Sequence, residues 1–308
     1  MSHEISQERA LNLWSSAARK FPPFERATHL EAAPEVDGTQ IGGLADAQEE
    51  VLTYACALTN QDVYAAWGTF PPSGLLLIGQ HGSGKSLLAE ALATRAGTPF
   101  LRLEVPRLAL EMVRHASRLG EMLEAWSSVL AEMPPITAYF RELEFVRAAE
   151  LGGERSDLPV GPILDTLCEL IDRAVAEPHV LLAGSTSRPD TLRPAFALPG
   201  RFERVVEVVP SYPDDIVAAL RLHAAAAEKR AGRALFGPVD WADVVTRFRE
   251  PSIGEWVGLV HTALRRKARE ECSAGEVGPV ETPDLLAEVE VLRRTLRRLR
   301  AAAGGTYL

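Results

Sequence analysis

Lysine is scarce in this chain. Of its 33 basic residues only four are lysine and 29 are arginine, in a sequence of 308. A lysine inside a motif therefore carries more information than usual. Cysteine is equally sparse: Cys56, Cys168 and Cys272 are far apart and odd in number. That excludes reading a disulfide framework or a metal-ligand spacing, and leaves small buried hydrophobes in a reducing compartment. The seven histidines show no metal spacing and no H-E-x-x-H pattern. There is no positive excess, since 33 Lys+Arg against 42 Asp+Glu give a net charge of −9. A general nucleic-acid coat is thereby disfavoured, though a local basic patch remains allowed. No apolar stretch approaches the roughly 20 residues needed to span a bilayer. The first residues, Met-Ser-His-Glu-Ile, lack a positive region followed by an apolar run. The expectation is a soluble cytoplasmic protein without a membrane span.

What is present is ordinary globular composition, 46% hydrophobic and 24% charged. The length predicts about two domains. A rough apolar stripe (Ile5, Leu11, Leu13, Trp14, Ala17) predicts a helix over 4–20, stopped by Phe21-Pro22-Pro23. Residues 24–40 read as irregular, and a helix follows over 45–59. Short apolar runs at 75–78, 100–105, 136–140, 180–183 and 205–209 alternate with helical patterns at 87–95, 107–132 and 162–176. A run such as Leu75-Leu76-Leu77-Ile78 suits a strand buried on both faces. The alternation predicts a three-layer α/β domain with a mainly parallel five-stranded sheet. After Pro213 only helices are signalled, at 214–231, 240–248 and 252–271, which predicts a small all-α second domain. A linker at 273–283 precedes a last helix, about 284–302, in which Leu285, Val289, Leu292, Leu296 and Leu299 make a short heptad seam. The organisation is thus 1–35 N-terminal helix and arm, 36–212 α/β domain, 213–272 helical lid, and 273–308 linker and heptad helix.

The strongest motif is Gly79-Gln80-His81-Gly82-Ser83-Gly84-Lys85-Ser86, which fits G-x-x-x-x-G-K-[ST], followed by Leu87. It lies between an apolar strand and a helix, the context this loop requires. Its glycines let successive N–H groups turn inward around an anion. The next helix points its positive end at the same place. Lys85 is placed to reach the β/γ-phosphates, and the Ser86 hydroxyl to ligate Mg²⁺. ATP with Mg²⁺ is therefore the expected cofactor.

Three further stretches follow one another: Ile41-Gly42-Gly43-Leu44 before the loop, then Ser187-Arg188-Pro189-Asp190 and Pro199-Gly200-Arg201-Phe202-Glu203-Arg204 after it. With the P-loop, these four resemble the AAA family of ATPases, in the branch of membrane AAA proteases, proteasomal ATPases and severing enzymes. The resemblance covers about residues 36–270. It implies a nucleotide domain with a helical lid, assembled into a ring, usually a hexamer, either from one chain or with a paralogue. Nucleotide would sit between neighbouring subunits, and a protein client would be remodelled.

The departures from that pattern are informative. The resemblance places Glu142 where the family polarises the attacking water, with a solvated carboxylate as the alternative. It places Arg141 where an Asp normally holds the metal's hydration shell, a charge reversal that implies slow hydrolysis. Ser187 takes the place of the sensor asparagine. Leu198 and Arg201 take the places of two arginines offered across the subunit boundary, with a structural ion pair as the alternative for Arg201. Gly254, within Pro251-Ser252-Ile253-Gly254, weakly echoes the lid motif and would allow close approach to the adenine. The channel-facing loop finds its best match in Met112-Val113-Arg114, without an aromatic; Met112 is either a soft grip or core. Trp14 and the N-terminal helix suit partner docking or packing on the body. The arginines at 293, 294, 297 and 298 suit a solvated helix face better than a nucleic-acid patch. Two functions follow: a ring ATPase that remodels a protein with slow hydrolysis, or a nucleotide-gated regulatory subunit with little hydrolysis.

Overall fold

The computed structural model describes residues 2–72, 74–144, 160–197 and 200–302. The chain enters through helix α1 (Ser2–Lys20), whose Ala10, Trp14 and Ala18, each four residues apart, form the buried stripe. Helix α2 (Pro22–Ala27) starts on a proline, which tolerates the first helical turn. Strand β1 (Thr28–Glu31) follows directly. Next come α3 (Ala45–Thr53), α4 (Cys56–Thr59), α5 (Gln61–Ala66) and β2 (Leu75–Ile78). Helix α6 (Lys85–Ala96), β3 (Phe100–Glu104), α7 (Val105–Arg114), α8 (Leu119–Glu132) and β4 (Ile136–Arg141) continue the alternation. Helix α9 (Val160–Val175), β5 (Val180–Thr186) and β6 (Arg204–Glu207) complete the sheet.

The sheet has six strands in the order β1-β3-β4-β5-β2-β6. All neighbours are parallel except β1, which runs antiparallel to β3 from Thr28↔Leu103 to Glu31↔Phe100. The expected five strands thus become six, because the arm expected to be irregular at 24–40 contributes β1 to the edge of the sheet. Four residues between prolines carry no alternation, and β3 supplies the pairing that makes them a strand. β4 is buried on both faces, as its apolar run requires. Ile136, Ala138 and Phe140 face a core shared with α1, α2, α7, α8 and α9. Tyr139 faces the other way, stacked on Phe100 with ring centroids 5.7 Å apart. Helix α6 packs on β4 and β5, and α3 packs on α6. The domain is therefore three-layered.

By its contacts the chain divides into two units, the first comprising Met1–Gly38, Ala45–Gln80 and Lys85–Val208. The N-terminal helix packs inside this unit. Trp14 meets Phe24 and stands edge-on to Trp126, with centroids 5.4 and 5.8 Å apart. Its Nε1 donates to Thr28 Oγ1 at 3.1 Å. Trp14 is thus core rather than a docking side chain. The same holds for Met112, which is fully buried in α7 within the main hydrophobic cluster, so the soft-grip alternative falls.

The second unit comprises Thr39–Leu44, His81–Gly84 and Val209–Leu308. Its helices are α10 (Asp214–Ala231), α11 (Trp241–Thr246), α12 (Ile253–Ala274) and α13 (Thr282–Ala302). A single parallel bridge, Phe236↔Val280, is the β-pairing among its described residues. α12 opens with a capping box between Ser252 and Glu255. Leu285 and Val289 of α13 are buried against Trp256, Val260 and Leu220, and Leu292 and Leu296 pack at the edge. The heptad seam is thus used within the unit; the Leu299 side chain lies outside the described residues. The glycines of Ile41-Gly42-Gly43-Leu44 have a packing reason. A Cβ on Gly42 would stand 2.2 Å from Ala219 Cα, and one on Gly43, where φ is +73°, 2.4 Å from Asp215 Cβ.

Candidate nucleotide site

β2 ends at Ile78, and the chain turns through the glycine-rich loop into α6, which begins at Lys85. Gly82 and Gly84 take φ of +78° and +102°, which only glycine adopts without strain. Ser83 Oγ is buried and has no hydrogen-bond partner among the described residues. Gly254 N donates to Gly82 O at 3.0 Å, and a Cβ on Gly254 would lie 3.3 Å from Gly82 Cα. The glycine expected beside the adenine therefore has a structural duty toward the loop backbone. Gln80 and His81 are exposed, and Leu87, the third residue of α6, is 40% exposed.

Lys85 is only 8% exposed. Its Nζ donates to Gly79 O and Gln80 O, each at 2.7 Å. Burial lowers its pKa, and the charges of Glu144 and then Glu142 oppose that shift. The Ser86 hydroxyl lies 3.1 Å from Tyr139 OH, which donates to Ser185 Oγ at 2.7 Å. Left-handed turns, a buried cationic amine and an orphaned hydroxyl fit a phosphate chain. Ser86 is the residue that would hold a divalent cation, which would neutralise phosphate charge.

At the end of β4 lies Arg141, the residue expected to reverse a charge. Arg141 Nη1 donates to both oxygens of Glu104, at 3.0 Å each, and Nη2 lies 3.2 Å from Glu142 Oε1. Each of these side chains is about a third exposed. Burial works against the Arg141 cation, but the Glu104 and Glu142 carboxylates outweigh it and raise its pKa. Glu142 itself has φ of +62°, a left-handed conformation unusual for a glutamate. A strained residue at the end of a central strand points to function. The carboxylate expected to polarise water is thus bound to the arginine beside it.

Ser187 lies beyond β5, and its N–H donates to Glu144 Oε1 at 2.9 Å. Glu144 Oε2 is buried without a partner among the described residues. Glu144, Tyr139, Ser185 and Glu104 were not singled out from the sequence. The available signal for Tyr139 was its place two residues before Arg141, on the same face of the strand. Arg201 is held in the first unit by Asp172, with Nε–Oδ1 2.5 Å and Nη2–Oδ2 2.7 Å, and it also donates to Ala195 O. Its guanidinium is in an intrachain ion pair rather than presented outward. Leu198 lies outside the described residues.

A parallel sheet whose strand end feeds a glycine loop, a buried lysine and a helix N-terminus is a P-loop nucleotide-binding domain. Residues 75–210 match the AAA family, described as the ATPase family associated with various cellular activities. That stretch of the chain is similar to the family. Curated relatives include the proteasome-activating nucleotidase of Methanothermobacter thermautotrophicus, 30% identical over 203 residues, 65% of this chain and 49% of that protein. The proteasome-activating nucleotidase of Methanosarcina mazei is 33% identical over 188 residues, 60% and 44% of the two chains. Protein SAV of Sulfolobus acidocaldarius is 30% identical over 194 residues, 61% of this chain and 24% of that protein. The chain thus spans about half or less of the length of these relatives. Among the described residues, no helix is long and apolar enough to cross a membrane.

Proposed function

We propose that this chain is an ATP-binding ring ATPase that remodels a protein partner and hydrolyses ATP slowly. On this reading residues 36–212 bind nucleotide and 213–272 form the helical lid. Lys85 and the loop amides hold the phosphates, Ser86 the Mg²⁺, and Glu142 and Ser187 orient the attacking water. Arg201 of a neighbour completes the site only after leaving Asp172. The ring, of six subunits or shared with a paralogue, comes from the family resemblance, as does the cytoplasmic setting. The proteasome-activating relatives support a protein rather than a nucleic acid as client. The observation that carries the reading is Lys85, buried at the start of α6 in a loop with two left-handed glycines.

A second reading has its own observation. Arg141 occupies Glu142 and stands where a metal-holding acid is expected, which favours a nucleotide-gated subunit with little hydrolysis. The deciding experiment measures ATP binding by calorimetry, size by light scattering with and without ATP, and steady-state phosphate release. Binding, a nucleotide-dependent ring and slow turnover support the first reading. Binding and assembly without turnover support the second, and absence of ATP binding defeats both.

A further inference from the structure

We infer that Tyr139 is the positioning residue that turns the Ser86 hydroxyl toward a divalent cation, taking over the part an acidic side chain would play. The inference rests on the nucleotide-site reading above and follows from proton accounting. A phenol has one hydrogen. Tyr139 donates it to Ser185 Oγ at 2.7 Å. On its other side, 3.1 Å away, stands Ser86 Oγ. Tyr139 has no second hydrogen to give, so at that contact it accepts and Ser86 donates. The Ser86 lone pairs then face away from Tyr139, which is the polarity a cation ligand needs. Were the chain to run the other way, a hydrogen would occupy that place and repel the metal.

The surroundings hold this polarity. Tyr139 is fully buried and stacked on Phe100, with 19° between the rings. Glu142 N also donates to Ser185 Oγ, at 3.5 Å. An ordinary phenol keeps its hydrogen near neutral pH. Arg141, the next residue along the same face of β4, is taken up by Glu104 and Glu142. No carboxylate is hydrogen-bonded to Ser86 among the described residues. A hydroxyl chain thus does without net charge what a carboxylate does with it.

The test compares ATP affinity in excess Mg²⁺ with affinity in EDTA, on the full chain, by calorimetry. In Tyr139→Phe the Mg²⁺ enhancement should fall about threefold to tenfold, the size of one hydrogen bond, while affinity in EDTA stays unchanged. Ser86→Ala should lose the enhancement by itself, and adding Tyr139→Phe to it should change nothing further. Ser185→Ala lets the phenol hydrogen swing to Ser86 and should lose the enhancement too, which carries the test if Tyr139→Phe does not fold. A full enhancement in Tyr139→Phe or in Ser185→Ala overturns the inference. So does an equal loss with and without metal, or additive losses in the double variant, since those mark general structural damage. Wild-type protein that binds ATP equally in both buffers overturns this inference alone. Wild type that binds ATP in neither overturns the nucleotide reading with it.

Discussion

Replacing Arg141 by aspartate tests what limits hydrolysis. At about 3 Å, and with an effective dielectric constant of about 20, each of its ion pairs is worth about 5 kcal/mol of gross attraction. The partners are about a third exposed, so screening and desolvation leave a net of about 1 kcal/mol or less per pair. Arg141→Asp removes both pairs and sets three carboxylates together, at 104, 141 and 142. The variant should be less stable than wild type by about 1–2 kcal/mol in metal-free buffer, and should regain part of that with Mg²⁺ and ATP. Releasing Glu142 from its cation frees it to polarise water. Restoring even ~1.4 kcal/mol of transition-state stabilisation multiplies the rate tenfold. The expected rise in kcat is about threefold to tenfold, capped because on the proposed reading Ser187 would stand in for an asparagine. The assay is phosphate release at saturating ATP for wild type, Arg141→Asp and Arg141→Asp/Glu142→Gln. The double variant should lose the gain. No rise in Arg141→Asp, or a gain that survives Glu142→Gln, refutes the assignment of these two residues.

Lys85→Ala should abolish ATP binding with the fold intact by circular dichroism. Because burial lowers the Lys85 pKa, ATP affinity of the wild type should weaken on the alkaline side at a lower pH than for an ordinary lysine. A Kd flat from neutral to strongly alkaline pH contradicts this. Gly42→Ala places a methyl 2.2 Å from the Ala219 backbone and should destabilise by about 1–3 kcal/mol, read from thermal melting of the second unit. Asp284 is held below its usual pKa: burial raises it, but the Glu281 N–H, Lys267 and Arg266 outweigh burial. Its stabilisation is therefore present above about pH 4 and lost as pH falls through the depressed value. Asp284→Asn should cost about 1.5–3 kcal/mol at neutral pH and nearly nothing in strong acid, by denaturant titration.

The P-loop and the alternation of strand and helix were legible because both are local: a loop motif and an apolar run can be read without their partners. Helix α10 matches the reading residue for residue, ending at Gly232 with φ of +65°. β1 was not legible because Thr28-His29-Leu30-Glu31 becomes a strand only against Leu101 and its neighbours, some 70 residues on. The site shows the same division. Lys85 and Ser86 declare themselves by spacing. The tie of Arg201 to Asp172, and of Ser187 to Glu144, joins residues 29 and 43 positions apart. No pattern in the sequence marks them. The seam of α13 was legible as periodicity, but its partner was not: the same apolar spacing serves a neighbour in the chain or in another subunit.

The scarcity of lysine turns the buried Lys85 into a natural reporter. Of the four lysines, Lys20 and Lys229 are exposed, Lys267 lies against Asp284 at 3.0 Å, and Lys85 is 8% exposed with a depressed pKa. An amine-directed label therefore meets a nearly blank background. The tryptic maps of labelled protein would contain few modified peptides, one of them spanning the phosphate loop. A lowered pKa makes that amine a better nucleophile at moderate pH, whereas a bound polyanion would hold it protonated and cover it. The ratio of label at Lys85 to label at Lys20 would then serve as an internal gauge of occupancy, read by mass spectrometry without any engineered residue.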